Sequence, residues 1–229
     1  MWKGNIQDRI IYEDKALIVC HKPAGIAVQH AKMGVMDLES MLKNYLAEKG
    51  ESPYLAVIHR LDQPVEGILV FAKTPAAAKE LNRQLTSSQI VKEYLAVTVS
   101  NPSAENGELV DFLVKDSRTN TSKVTTATDK NGKKAILYYQ ILKSVNSPED
   151  TQKSFLIKIR LKTGRHHQIR VQMANAGMPL LGDRKYNTTD KNEVSLGLCA
   201  AHLKFQHPLN KKEMDFEIQP EGNAFLRFL

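Results

Sequence analysis

The stretch from Tyr54 to Thr74 most constrains this chain, because two apolar runs flank a polar crossover. Leu55–Ile58 and Ile68–Ala72 have the composition of strands. Gly67 allows the backbone to turn or to approach another group closely. Strands often hold such loops so that they present reactive groups, but a solvated hairpin turn explains the same charges. The crossover contains four candidate residues: His59, Arg60, Asp62 and Glu66.

Three stretches of the chain resemble the motifs of the RluA-type RNA pseudouridine synthases. HRLDQPVEGILVFAKT, residues 59–74, is similar to the main motif of that family, and KEYLAV, residues 92–97, is similar to its tyrosine motif. LKTGRHHQIRVQM, residues 161–173, followed by GMPLLGDRKY, residues 177–186, resembles its arginine motif. One such motif is weak evidence, whereas three in the order of the family are strong evidence.

The resemblance implies a reaction and three catalytic residues. Pseudouridine formation breaks the N1–C1′ bond of a uridine in RNA, turns the base and joins C5 to C1′. By resemblance, Asp62 is the catalytic carboxylate, Tyr94 helps to remove the C5 proton, and Arg170 pairs with Asp62. Such a pairing is physically reasonable, because a nearby cation lowers the pKa of a secluded carboxyl group. The reaction requires no metal and no organic cofactor.

The same resemblance assigns RNA binding and base flipping to Arg60, His59 and Arg165. A base within a stack must leave it to be reached, so the enzyme benefits from a side chain that fills the gap. Arg60, two residues before Asp62, suits that task. RNA is therefore the expected partner, either ribosomal or transfer RNA.

The chain departs from the family pattern at three places. Relatives often have Thr-Ser where this chain has Val65-Glu66, and a histidine where it has Gln172 or Cys199. None of these changes removes Asp62, Tyr94 or Arg170. They therefore affect the expected loop geometry and choice of RNA more than the expected activity.

Composition supports an RNA partner and a soluble protein. The 229 residues carry a net charge of +7 with a pI near 9.3, which favours a polyanionic partner. No apolar stretch is long enough to cross a bilayer, and the first residues lack a secretory signal, so we expect a cytoplasmic protein and a monomer. Cys20 and Cys199 lie in apolar runs, which indicates buried reduced thiols.

The order of apolar patterns predicts an α+β fold with a mixed, largely antiparallel central sheet flanked by helices. The resemblance adds the pseudouridine synthase catalytic fold with a central cleft. We expect residues 1–229 to form one catalytic domain, or one domain in two lobes. Many relatives carry a separate N-terminal RNA-binding domain, but HRLD begins too early here for one to precede it.

Capping residues and periodicity predict three helices. Asp37, Thr74 and Thr163 are the expected N-caps, and the third helix is expected to carry Arg165 through Met173. On that helix either His166 or His167 would neighbour Arg170. Strands are predicted from the remaining apolar and alternating runs: IIYED, ALIVCHKP, Ile90–Val99, Gly107–Val114, Ser122–Thr128, Ala135–Val145, Ser154–Leu161, LGLCAAHLKFQHPLN and KKEMDFEIQP.

Two other classes of function remain open from the residues alone. A glycoside hydrolase would use paired carboxylates such as Asp62 and Glu66, although one tryptophan leaves little aromatic surface for sugars. A noncatalytic RNA-binding protein of the same fold would keep the basic charge without needing the three motif residues. A metal site at His166-His167 is weakly supported, because no carboxylate or thiol falls at ligand spacing.

Overall fold

The computed structural model describes residues 4–29, 34–100, 102–146, 153–187 and 194–229. Contacts between Cα atoms divide the chain into two compact units. The first unit contains residues 1–92 and 200–219, and the second contains residues 93–199 and 220–229. The α+β class predicted from the sequence is confirmed, and the strand registers determined within the units are antiparallel.

The first unit contains the predicted strand–loop–strand stretch. Its elements are β1 (Ile10–Glu13), β2 (Leu17–Lys22), α1 (Leu38–Glu48), β3 (Ala56–Val57), β4 (Glu66–Ala72), α2 (Pro75–Thr86), β10 (Leu198–Gln206, from residue 200) and β11 (Glu213–Glu217). The strand order is β1-β2-β4-β10, with β11 on β10 and β3 on β4. The run of buried side chains in β2 and β4 is continuous, as expected for strands covered on both faces.

Two helices of this unit begin where the sequence predicts. The Asp37 carboxylate accepts a hydrogen bond from the Ser40 amide at 2.8 Å, and the Thr74 hydroxyl accepts one from Ala77 at 3.2 Å. Helix α2 turns its apolar side to the strands, where Ala77, Ala78 and Leu81 are buried. The core around these three residues holds β4 in place, and with it the loop that precedes β4. This core contains Leu17, Val19, Ile58, Ile68, Val70, Leu203 and Phe205.

The second unit is built on an antiparallel sheet in the order β5-β9-β8-β6-β7. Its strands are β5 (Val91–Thr98, from residue 93), β6 (Asn106–Asp116), β7 (Thr121–Thr125), β8 (Lys133–Asn146) and β9 (Lys153–Leu161). Helix α3 (Gln168–Asn175) packs on this sheet, where Val171 contacts Leu113 and Ala135. The predicted strands of this region are confirmed, apart from shifts of a few residues at their ends.

The predicted start of the third helix is wrong. α3 begins at Gln168 rather than near Arg165, and its N-cap is His167, whose backbone is left-handed at φ 52°. Thr163 does not cap the helix, because its hydroxyl bonds instead with the Ile136 amide at 2.9 Å and Gln168 Oε1 at 2.8 Å. Since His166 lies outside the helix, a helical turn does not place it next to Arg170, as had been expected from their four-residue spacing.

Both cysteines are buried, as predicted, and neither forms a disulfide within the part of the chain that the structure describes. Burial raises the pKa of the Cys20 thiol to about 12, so this group is held as a thiol. Within the described ranges, no helix is both long and apolar enough to cross a membrane.

Candidate active site

The loop between β3 and β4 presents Asp62 at a tight turn. Residues 63 and 64 form the turn, closed by a 3.0 Å hydrogen bond from the Val65 amide to the Asp62 carbonyl oxygen. Leu61 and Val65 are buried on either side, whereas Asp62 is half-buried. Two apolar anchors therefore fix the backbone while the carboxylate between them stays within reach of solvent.

A buried lysine, Lys22, holds this turn through hydrogen bonds to backbone carbonyl oxygens. The Lys22 side chain is fully buried at the end of β2, and its ammonium donates to the carbonyl oxygens of Pro23, Ile26 and Gln63 at 2.9, 2.8 and 3.1 Å. The Gly25 amide also donates to the Gln63 carbonyl at 2.8 Å. The turn at residues 22–25 is therefore joined to the Asp62 turn by the Lys22 ammonium and by this backbone hydrogen bond.

The charge of Lys22 is sensitive to its surroundings. Burial lowers its pKa to about 7, while the carboxylates of Asp62 and Glu66 act in the opposite direction. The Asp62 carboxylate is therefore within electrostatic reach of a buried amine. In the sequence, Lys22 belongs to the predicted strand ALIVCHKP, and no functional role was predicted for it.

Gly67 is required at the start of β4 by the packing of the unit. Its φ is 141°, and a Cβ atom built on it would lie 2.5 Å from the Ala200 Cβ and 2.6 Å from the Ala200 amide nitrogen. Any side chain at this position would therefore collide with β10. The close approach predicted for this glycine is made to the chain's own strand.

Arg60 and His59 have opposite environments. The Arg60 side chain is exposed, as an RNA-contacting residue requires. His59 is 9% exposed, and among the described residues neither of its ring nitrogens has a hydrogen-bonding partner. The prediction that His59 contacts RNA stays a prediction, and its burial argues for a packing role instead.

Protonation of His59 is expected to destabilise the protein in acid. Burial lowers the His59 pKa from 6.5 to about 3, and the charge of Lys92 acts in the same direction. Between these pH values the unfolded chain binds a proton that the folded ring does not, so stability present above about pH 6.5 is lost as the pH falls. At about 1.4 kcal/mol per pKa unit, this loss amounts to at most roughly 5 kcal/mol.

Urea unfolding of the wild type and of His59→Gln at about pH 7 and about pH 4.5 measures this effect. We expect the free energy of unfolding to fall less steeply with pH in the variant, whatever its stability at neutral pH. Parallel pH dependences in the two proteins would show that His59 is not kept neutral by the fold.

Tyr94 lies on β5 in the second unit. It stands opposite Ile159 of β9 and is only 6% exposed. A buried tyrosine normally directs its hydroxyl to a hydrogen-bonding partner.

Arg170 is buried on α3 and is held by a two-point salt bridge. Its Nε donates to Asp183 Oδ2 at 2.8 Å, and its Nη2 donates to Asp183 Oδ1 at 2.7 Å. The two side chains are only 5% and 0% exposed. A bidentate pair of this kind fixes the plane of the guanidinium as well as its position. Asp183 lies in the GMPLLGDRKY stretch and was not recognised from the sequence as a partner of Arg170.

Tyr186 covers the other side of this arginine. The guanidinium carbon of Arg170 lies 5.1 Å from the centre of the Tyr186 ring. The Tyr186 hydroxyl accepts a hydrogen bond from the Ser122 amide at 2.8 Å and is joined to Nδ1 of His167 at 2.6 Å. Tyr186 therefore connects the β6–β7 hairpin with the residue that begins α3.

The start of α3 lies in a positive field. Burial lowers the pKa of His167 to about 3, and the charges of Arg170, His166, Lys185 and Lys115 lower it further. His167 is thus neutral at physiological pH and packs against the His166 ring at 3.8 Å. Arg165 is exposed, with its Nε bonded to the Lys134 carbonyl oxygen at 2.9 Å, so its outer nitrogens are available to an anion.

The site residues are therefore distributed between the units. The first unit carries Asp62, Arg60 and His59, and the second carries Tyr94, Arg165 and Arg170. The predicted pairing of Arg170 with Asp62 stays a prediction. Among the described residues, no group of three or more His, Cys, Asp or Glu side chains is arranged to hold a metal ion.

Comparisons with known proteins agree on one family. The sequence model of the family described as RNA pseudouridylate synthase matches residues 16–175. The ribosomal large subunit pseudouridine synthase D of Zymomonas mobilis is 34% identical over 96% of this chain and 71% of its own length. The ribosomal large subunit pseudouridine synthase C of Rickettsia conorii is 37% identical over 80% of this chain, but the match spans only 57% of that relative.

Solved structures show the same fold. Human RNA Pseudouridylate Synthase Domain Containing 4 superimposes with a TM-score of 0.72 at 25% identity, covering 94% of this chain and 90% of that one. Human RNA Pseudouridylate Synthase Domain Containing 1 gives a TM-score of 0.76 at 21% identity, covering 96% and 86%. The fold is thus that of a pseudouridine synthase domain.

The chain belongs to the RNA pseudouridylate synthase family, enzymes that isomerise uridine in RNA to pseudouridine. The expected isomerase activity is confirmed at this level. The glycoside hydrolase alternative receives no support, and Glu66, its proposed second carboxylate, is 4% exposed at the start of β4.

Proposed function

We propose that this enzyme modifies ribosomal RNA, with Asp62, Tyr94 and Arg170 as its catalytic residues. The proposal rests on the half-buried Asp62, which lies on a turn held by a hydrogen bond from Lys22. This turn belongs to residues 16–175, the part of the chain that matches the family model. Two relatives named as ribosomal large subunit pseudouridine synthases favour ribosomal over transfer RNA.

The three catalytic groups divide the work. The Asp62 carboxylate acts on the sugar or the base while the N1–C1′ bond breaks. Arg170 pairs with that carboxylate and stabilises its negative charge. Tyr94 helps to remove the C5 proton after C5 has joined C1′, and that proton passes to water. N1 takes up a proton while C5 loses one, so the product is an isomer of uridine, and the reaction involves no net oxidation or reduction and needs no cofactor or metal.

Arg60 fills the gap left by the flipped base. Its exposure and its position two residues before Asp62 support this role. Unstacking costs energy mainly in structured RNA, so Arg60→Ala should lower turnover on a hairpin substrate more than on a single strand. Equal losses on the two substrates would remove this role from Arg60.

The phosphate backbone of the RNA is held by the exposed cations of the second unit. Electrostatic contacts with phosphates supply most of the sequence-independent affinity for RNA. The positive field at His167 supports their position near α3. The side chains that form this surface are Lys115, Arg118, Lys123, Arg165, Arg184 and Lys185. We also propose that the enzyme works in the cytoplasm as a monomer.

Release of tritium from RNA labelled at C5 of uridine tests the proposed function. Purified protein is expected to release tritium from ribosomal RNA transcripts, and much less from transfer RNA transcripts of equal uridine content. Sequencing for pseudouridine in ribosomal RNA from cells with and without the protein then locates the modified position. Release from transfer RNA alone would show that the proposed substrate is wrong.

A further inference from the structure

We propose that Asp183 is a positioning residue for the reaction, which sets the direction of the Arg170 guanidinium. The inference rests on the proposed catalytic role of Arg170 and deepens it. It starts from the salt bridge in which Asp183 takes both Nε and Nη2 of Arg170, with neither side chain more than 5% exposed. Buried pairs with this geometry hold one orientation, whereas a single contact would permit rotation.

Asp183 is itself fixed by the chain around it. Its Oδ1 accepts hydrogen bonds from the amides of Lys185 at 3.0 Å and Tyr186 at 3.3 Å, and its carbonyl oxygen accepts one from Asn187 at 2.8 Å. The carboxylate is thus part of a rigid turn. A group held in this way can orient a second group without moving itself.

Tyr186 limits the remaining freedom of the guanidinium. Its ring lies against Arg170, and its hydroxyl is anchored by Ser122 and His167. Arg170 is therefore held at one edge by a carboxylate and over one face by an aromatic ring. A catalytic arginine with this support meets its anionic partner already aligned, which avoids reorganisation during the reaction.

Asp183→Asn separates positioning from folding. The asparagine Oδ1 can keep the bonds of the turn, but the amide nitrogen that replaces Oδ2 cannot accept the hydrogen bond from Arg170 Nε. We expect kcat for tritium release to fall about 10- to 100-fold while KM changes less than about 2-fold. Asp215→Asn, which breaks an exposed pair with His202 in the first unit, is the matched control and should keep wild-type kcat.

A double-mutant cycle decides whether Asp183 acts through Arg170. An Arg170→Lys background has no planar guanidinium for Asp183 to orient. In that background, adding Asp183→Asn should change kcat less than about 2-fold. If it lowered kcat as much as in the wild type, Asp183 would not act through Arg170 and the proposal would be wrong. An unchanged kcat for Asp183→Asn alone would also overturn it.

A measurement on the wild type keeps the proposal testable even if Asp183→Asn fails to fold. In nitrogen-15 NMR spectra, the Nε–H signal that disappears in Arg170→Lys should exchange with water at least roughly 10-fold more slowly than the signal of exposed Arg184. Equal exchange rates for Arg170 and Arg184 would show that Asp183 does not hold the Arg170 guanidinium, and the proposal would be wrong. Since this result needs no turnover, it stays informative if the wild type fails to release tritium and the proposed function itself is wrong.

Discussion

Asp62→Asn is expected to abolish tritium release from labelled RNA, lowering the rate at least roughly 10³-fold. The substitution preserves the size of the side chain and removes its negative charge. Since Lys22 and the buried Leu61 and Val65 hold the loop through its backbone and apolar anchors, the turn should keep its shape. RNA affinity, measured by filter binding, should change less than about 2-fold, because the proposed phosphate contacts are made by other residues.

A surface aspartate of the same unit provides the control for Asp62. Asp8 is exposed near the amino end, and Asp8→Asn removes an equal charge without touching the loop. This variant should release tritium at the wild-type rate. Substantial release by Asp62→Asn would remove this residue from its catalytic role, and a parallel loss of RNA binding would mean that it serves the binding step.

Tyr94→Phe should lower tritium release at least roughly 10²-fold, because it removes the hydroxyl that we propose takes part in C5 deprotonation. The ring remains in its buried position on β5, so the cost in stability is expected to be about that of one hydrogen bond, roughly 1 kcal/mol. Single-turnover release assays, with thermal unfolding in parallel, separate the chemical effect from the structural one.

Tyr139→Phe is the matched control for this experiment. Tyr139 is another buried strand tyrosine of the second unit, 7% exposed, whose ring packs on Gly107. Loss of its hydroxyl should leave release within about 2-fold of the wild type. If the two tyrosine variants behaved alike, the loss at position 94 would reflect packing and the proton-transfer role would have to be abandoned.

Local signals in the sequence predicted most of the first unit. The apolar runs around the HRLD loop form β3 and β4, and Asp37 and Thr74 cap helices as expected. These features depend on neighbouring residues only, since a cap bonds with an amide three positions away. The motifs also supplied the candidate catalytic residues, whose roles stay predictions.

The errors and omissions arose where distant contacts decide the structure. Thr163 has the composition of an N-cap, but its hydroxyl is used by Ile136, 27 positions away, so α3 starts later. Asp183 is 13 positions from Arg170, and Lys22 is 41 positions from Gln63, so no local periodicity relates them. The Gly-Asp pair that follows the arginine motif was the available signal for Asp183.

The hydrogen bond from Lys22 restrains the backbone of the Asp62 loop rather than its side chains. Lys22 bonds to the Gln63 carbonyl oxygen, which every residue type provides. The Gln63 side chain adds a 3.0 Å hydrogen bond from its Nε2 to the Gly25 carbonyl oxygen, whereas the Pro64 side chain faces solvent. A substitution at Pro64 therefore leaves both hydrogen bonds of this loop in place, whereas one at Gln63 removes the bond to Gly25 but keeps the bond to Lys22. The backbone that carries the Asp62 carboxylate can thus keep its position while the outward side chain at residue 64 varies.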